Sequence, residues 1–218
     1  MSSKPNKTIA QRLLDAELAI NNTLSSPSIL AAVTPFGYDQ ARLLGAKDLH
    51  QEALELVELQ KKEYGEQYDA TAAMDEARAT AEQAYAIALK IARLAFRGND
   101  SARNALGLSG ERKQSISGWL DETRRFYNNL LRTPTFLAKM ATFNYSQAKL
   151  EAELALVEQV STLRELQHKE RGEAQEATKV RDAKLDELDQ WLADYKVVAE
   201  VALATSPQQL EQLGWIAS

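Results

Sequence analysis

The chain has 218 residues, 44% hydrophobic and 26% charged, with no cysteine, two histidines, nine glycines and five prolines. That size and balance describe a globular chain of one large domain or two small ones, and exclude disulfides, thiolate catalysis and cysteine-ligated metal centres. The net charge of −5 divides as −2 over residues 1–109 and −3 over 110–218, so neither half is basic enough to capture a nucleic-acid backbone or an anionic membrane electrostatically.

Neither nucleic acid nor membrane is therefore expected as a partner. Residues 1–7 are polar and lead into no apolar signal-peptide core, and no apolar run approaches membrane-spanning length. A cytoplasmic location is the expectation. Scarce glycine and histidine also leave little for phosphate-cradling loops or histidine-based catalysis, which points away from an enzyme.

Taken from its start, the chain first shows an amphipathic helix at about residues 8–25, with Ile9, Leu13, Ile20 and Leu24 on one face. Ser26 stands where an N-cap belongs and Pro27 at the first position of a short second helix. That helix closes at Phe36-Gly37-Tyr38, where glycine tolerates a positive φ, and Asp39 caps the next. Ile29, Leu30, Val33 and Phe36 make the short helix apolar enough to be core.

From Asp39 to Arg97 there is no proline, and apolar positions keep one 3.5-residue phase from Leu49, Ala53 and Leu59 through Ala70, Ala73 and Ala81 to Ala88 and Ala95. Gly65 stands alone, without the Pro, Asn and Ser cluster of a turn. The segment reads as one long helix in preference to a hairpin at Gly65. Asp100 then caps a short helix at residues 101–106, which Gly107 stops.

Everything after this repeats at an offset of 107 residues. Asn21-Asn22 and Pro27 match Asn128-Asn129 and Pro134; Phe36, Tyr38 and Gln40-Ala41 match Phe143, Tyr145 and Gln147-Ala148; Gly65-Glu66 matches Gly172-Glu173; Leu106-Gly107 matches Leu213-Gly214. About 30 of about 100 pairs are identical without a gap, which reads as a tandem duplication. The second copy has its first helix at about 112–132, Thr133-Pro134 as cap and first turn, an apolar short helix with Phe136, Leu137, Met140 and Phe143 closed by Asn144, a long helix capped by Ser146, and a last helix opened by Ser206-Pro207.

The runs Glu63-Tyr64-Gly65-Glu66-Gln67-Tyr68-Asp69-Ala70-Thr71 and Leu108-Ser109-Gly110-Glu111-Arg112-Lys113, with Leu210-Glu211-Gln212-Leu213-Gly214, resemble those of an uncharacterised bacterial family of duplicated all-helical proteins. The resemblance implies the duplicated helical architecture and transfers no activity and no site.

The fold expected is all-α: a tandem duplication of a helical unit, with long antiparallel helices and pseudo-twofold symmetry forming helical bundles. Repeat 1 spans 8–107, a linker 108–111 and repeat 2 112–218, packed together as one entity. A short linker favours this arrangement, because it must carry the chain from the end of one long helix directly into the next repeat.

Three constellations bear on chemistry. Glu165-Leu166-Gln167-His168 has the Glu-x-x-His spacing of carboxylate-bridged di-iron sites, which need the motif on two helices. The repeat copy supplies Lys61 in place of the histidine, so His168, and His50 likewise, read as residues of a solvated face. Glu63 and Glu66 with Glu170 and Glu173 form a repeated Glu-x-x-Glu pair on helix faces, able to offer carboxylate oxygens to a divalent cation if the two meet. Lys62, Lys169, Arg171 and His168 lie close enough to neutralise them instead. Trp119, Trp191 and Trp215 all fall in repeat 2 and read as space-filling core.

The function expected is a non-enzymatic structural or interaction module, binding a protein partner or a second copy of itself, with no cofactor. The alternative is a carboxylate-rich divalent-metal protein using Glu63, Glu66, Glu170 and Glu173.

Overall fold

The computed structural model describes residues 7–215, and every regular element among them is helical. The order is α1 (Ile9–Ser25), α2 (Pro27–Val33) with a 3-10 turn at Thr34–Phe36, α3 (Gln40–Ala95), α4 (Asp100–Ala105), α5 (Ile116–Arg132), α6 (Pro134–Ala141), α7 (Gln147–Ala202) and α8 (Pro207–Gln212). Residues 216–218, assigned by sequence to repeat 2, lie outside the described residues, as do 1–6.

Local chemistry explains most of the boundaries. Thr8 Oγ1 accepts from Gln11 N at 3.2 Å and opens α1, and Asp39 Oδ1 accepts from Arg42 N at 2.9 Å to open α3. Ser146 Oγ accepts from Lys149 N at 3.3 Å at the corresponding start of α7. Gly37 and Asn144 take positive φ of 84° and 62° between short and long helices, the two residue types that adopt this conformation at least cost. Other expectations shift: Thr133 and Ser206 stand at N-cap positions but their side chains make no cap bond. Asn99, not Asp100, caps α4, its Oδ1 accepting from Ala102 N at 3.0 Å. Helix α5 begins at Ile116 because Arg112 is held by the loop's own carbonyls and Ser115 supplies the cap.

Both long helices have 56 residues and run unbroken through Gly65 and Gly172. Neither glycine has anything within 4 Å of the place a side chain would occupy. The buried stripe does not hold a strict 3.5-residue phase: Ala53, Ala70, Ala81, Ala88 and Ala95 are buried, but Met74 replaces the expected Ala73, and Leu59 is 42% exposed. A straight helix at 3.6 residues per turn drifts from a heptad in this way.

The chain groups into two compact units. One contains the described residues up to Gly65 together with those from Gly172 onward; the other is Glu66–Arg171. Each long helix thus contributes one half to each unit.

In the first unit, Ile29 and Val33 of α2 join Ala19, Tyr38, Leu43, Tyr195, Ala199, Leu203 and α8's Leu210 in one core cluster. Leu13, Ala16 and Ile20 of α1 pack with Ala46, Ala53, Leu185 and Leu188 in another. Tyr38, Trp191, Tyr195 and Trp215 form a contiguous aromatic group with centroids 5.0–5.9 Å apart. Arg12 bridges Asp186 at 2.9 Å and Asp189 at 2.8 Å, and Lys184 pairs with Glu52 at 3.0 Å.

The second unit has a single larger core. Trp119, Leu120, Phe126, Tyr127 and Leu130 of α5 pack with Tyr85 and Leu89 of α3, Phe96 just past its end, Met140 of α6 and Leu150, Val157 and Val160 of α7. Burying a side chain of this size contributes about 1.5–3 kcal/mol, so each α5 turn is anchored.

Candidate functional site

The acidic positions singled out by the repeat lie midway along the long helices. Glu66 on α3 and Glu170 on α7, both in the second unit, offer carboxylate oxygens within 4.8 Å of each other. Glu170 is buried, 8% exposed, and accepts from Lys169 Nζ at 3.2 Å. In the first unit Glu63, half-buried, stands one helical turn before Glu66 and has Lys62 Nζ 3.6 Å away. Glu173 is exposed on α7 and has partners of its own. Two carboxylates held this close repel, and a cation between them would relieve the repulsion.

Other sequence candidates resolve into structure. Glu165 and His168 are both exposed, and Lys61, where the repeat would need a second histidine, is paired with Glu58 at 2.7 Å. His50 departs from expectation: it is buried, 8% exposed, with Nε2 donating to Leu13 O at 3.1 Å. It joins α3 to α1 through a carbonyl that helix geometry leaves able to accept a second bond. Trp119 is buried in the core of the second unit, while Trp191 and Trp215 pack against the core of the first.

Sequence reasoning missed a polar group inside the second unit. Tyr127, fully buried, donates to Glu153 Oε2 at 3.1 Å. Burial pushes the Glu153 carboxyl up from its ordinary range, opposed by the Tyr127 bond and the charge of Lys149. Nearby, Tyr85 donates to Glu122 Oε1 at 3.0 Å and Arg112 pairs with the same carboxylate. Burial first, then the Glu122 charge, pushes the Tyr85 phenol up to about 12. The Tyr145 hydroxyl is buried without a hydrogen-bond partner among the described residues, and the Lys149 ammonium lies 3.8 Å from its ring centroid.

A signal was available in the 107-residue spacing. Positions 107 residues before Tyr127 and Glu153 are Ile20 and Ala46, both core residues of the first unit, so a polar pair stands where the earlier positions are apolar.

The chain matches no known family model, curated protein or solved structure. The residues themselves carry the functional reading.

Proposed function

We propose that the protein is a non-enzymatic helical module that presents helix faces to a protein partner or to a second copy of itself. Its origin by tandem duplication, with long helices antiparallel about a pseudo-twofold axis, belongs to the same proposal, as does a cytoplasmic setting. Support for duplication comes from the elements: α1, α2, α3 and α4 each have a counterpart 107 positions later in α5, α6, α7 and α8. No helix among the described residues is long and apolar enough to cross a membrane.

The observation that carries the interaction reading is the pair Val197 and Val201 on α7, one helical turn apart and 62% and 61% exposed. β-branched residues are neither good helix formers nor favoured in water, so neither helix propensity nor burial within the unit accounts for them. Sedimentation velocity across a wide concentration range tests the face. Concentration-dependent association abolished by Val197→Glu with Val201→Glu supports self-association. A strict monomer with unaltered variants removes self-association and leaves a different protein partner, sought by photo-crosslinking from position 201.

A second reading, divalent-metal binding, rests on the approach of Glu66 to the buried Glu170, with Glu63 and Glu173 one turn away on their helices. Calorimetric titration with Mn2+ and Ca2+ decides it. Absence of saturable heat, or equal heat from Glu66→Gln with Glu170→Gln, sinks the reading.

A further inference from the structure

In the second unit four guanidinium groups converge on residues 107–110, the corner between α4 and the segment leading to α5. Arg93, near the end of α3, donates Nε–H to Leu108 O at 3.0 Å. Arg103 of α4 donates from Nη2 to Ser109 Oγ at 3.2 Å. Arg112 donates from Nη2 to the carbonyls of Gly107, Ser109 and Gly110 at 2.9, 3.2 and 3.3 Å. Arg125 of α5 lies directly over Gly107, where any side chain would overlap its Nη2.

Only Arg112 is neutralised, by Glu122. Among the described residues no carboxylate stands at ion-pair distance from Arg93, Arg103 or Arg125. Three uncompensated cations around one short corner repel each other, in a chain whose net charge is −5.

The local fold does not require them. Gly214, 107 positions after Gly107, has φ +83° against +59°, and it is likewise approached by the side chain that corresponds to Arg125. That side chain is Leu18, whose Cδ2 would lie 2.8 Å from a methyl group at Gly214. The counterparts of Arg93 and Arg103 are Glu200 and Leu210, and Leu210 is buried in an apolar cluster. The same corner is therefore built without these charges in the first unit. Each guanidinium has five N–H donors in a planar fork that matches the oxygens of a phosphate, and the contacts above occupy one nitrogen of Arg93 and one of Arg103.

We infer that the 107–110 corner of the second unit is an anion site for a phosphate group, carried by inorganic phosphate, pyrophosphate or a phosphomonoester. Arg93, Arg103 and Arg125 supply the charge-assisted bonds, and Arg112 fixes the corner that aligns them.

Calorimetric titration of the full chain with pyrophosphate, at constant ionic strength set by chloride, tests this. Saturable binding is expected, weakened at least about tenfold in Arg103→Leu with Arg125→Leu, as loss of charge-assisted bonds requires. Arg124→Leu, which removes a guanidinium paired with Glu158 outside the corner, should leave binding unchanged. If the double variant loses its helical circular-dichroism spectrum, Arg125→Gln alone carries the comparison. Parallel titrations with inorganic phosphate and phosphoserine tell a free anion from an ester. Absence of saturable binding, or equal binding by the corner variants, overturns the assignment. So does an oligonucleotide that binds far more tightly than pyrophosphate and is lost in the same variants, since the corner would then hold a nucleic-acid backbone.

Discussion

Replacing Tyr127 by Phe removes a single oxygen from the core of the second unit. The ring keeps its place against Phe126 and Tyr85, at centroid distances of 5.1 and 6.2 Å, but Glu153 loses the hydroxyl that donates to Oε2 at 3.1 Å. The cost depends on the charge of Glu153. A hydrogen bond to a charged group contributes about 1.5–3 kcal/mol and one between neutral groups about 0.5–1.5 kcal/mol. Burial raises the folded-state pKa of Glu153 above its ordinary 4.5, so the folded chain retains a proton that the unfolded chain has released. Stability therefore falls as pH rises from the unfolded value to the folded one, then levels off. Because the Tyr127 bond opposes that rise, Tyr127→Phe lifts the folded pKa further and extends the window of falling stability to higher pH.

Urea denaturation followed by circular dichroism at about pH 4 and about pH 7.5 reads this out. The loss in Tyr127→Phe should be greater at the higher pH by about 1 kcal/mol, the difference between charged and neutral hydrogen bonds. Glu153→Gln, which holds no charge at either pH, should cancel that difference when combined with Tyr127→Phe. Equal losses at both pH values, or a pH-dependent difference that persists in the combined variant, would refute the coupling between the Tyr127 hydrogen bond and the charge of Glu153.

Other outcomes follow from backbone geometry. Gly65→Ala and Gly172→Ala, in open helix interiors, should each stabilise the fold by about 0.5–1 kcal/mol in denaturation midpoints; destabilisation would show that the chain uses these glycines for something other than a straight helix. Gly214→Ala should cost about 1–2 kcal/mol for its left-handed conformation, with a further loss from contact with Leu18 Cδ2 that Leu18→Ala relieves. Asn99→Ala removes the cap of α4 and should cost about 1 kcal/mol, visible as faster amide hydrogen exchange at Ala102 than elsewhere in the helix.

Helix ends were legible because their determinants are local. Asp39, Ser146, Gly37 and Asn144 each act within four residues of themselves, and the structure uses them as the sequence suggests. The boundary of α5 was misplaced for the opposite reason: Arg112 leaves helical geometry to bind carbonyls at 107, 109 and 110, a bargain settled by the shape of a loop. His50 could not be placed inside, since its partner is a backbone carbonyl on α1, which carries no side-chain signature. The acidic positions Glu63, Glu66, Glu170 and Glu173 were found through repetition, but the close approach of Glu66 to Glu170 depends on how two helices pack. The arginines of the 107–110 corner escaped notice because they are scattered over three elements and a loop.

Length and composition began as a choice between one domain and two. Sequence alone determined the all-helical character and the caps Ser26, Asp39 and Ser146, and favoured a helix without a turn at Gly65, because helix propensity and caps act within a few turns. Tertiary structure decided how those helices are shared. Each compact unit takes half of α3 and half of α7, so Trp119, Trp191 and Trp215, all in the second half of the sequence, end up divided between two cores. A core forms wherever apolar faces can meet and exclude water, irrespective of which half of the sequence supplied them.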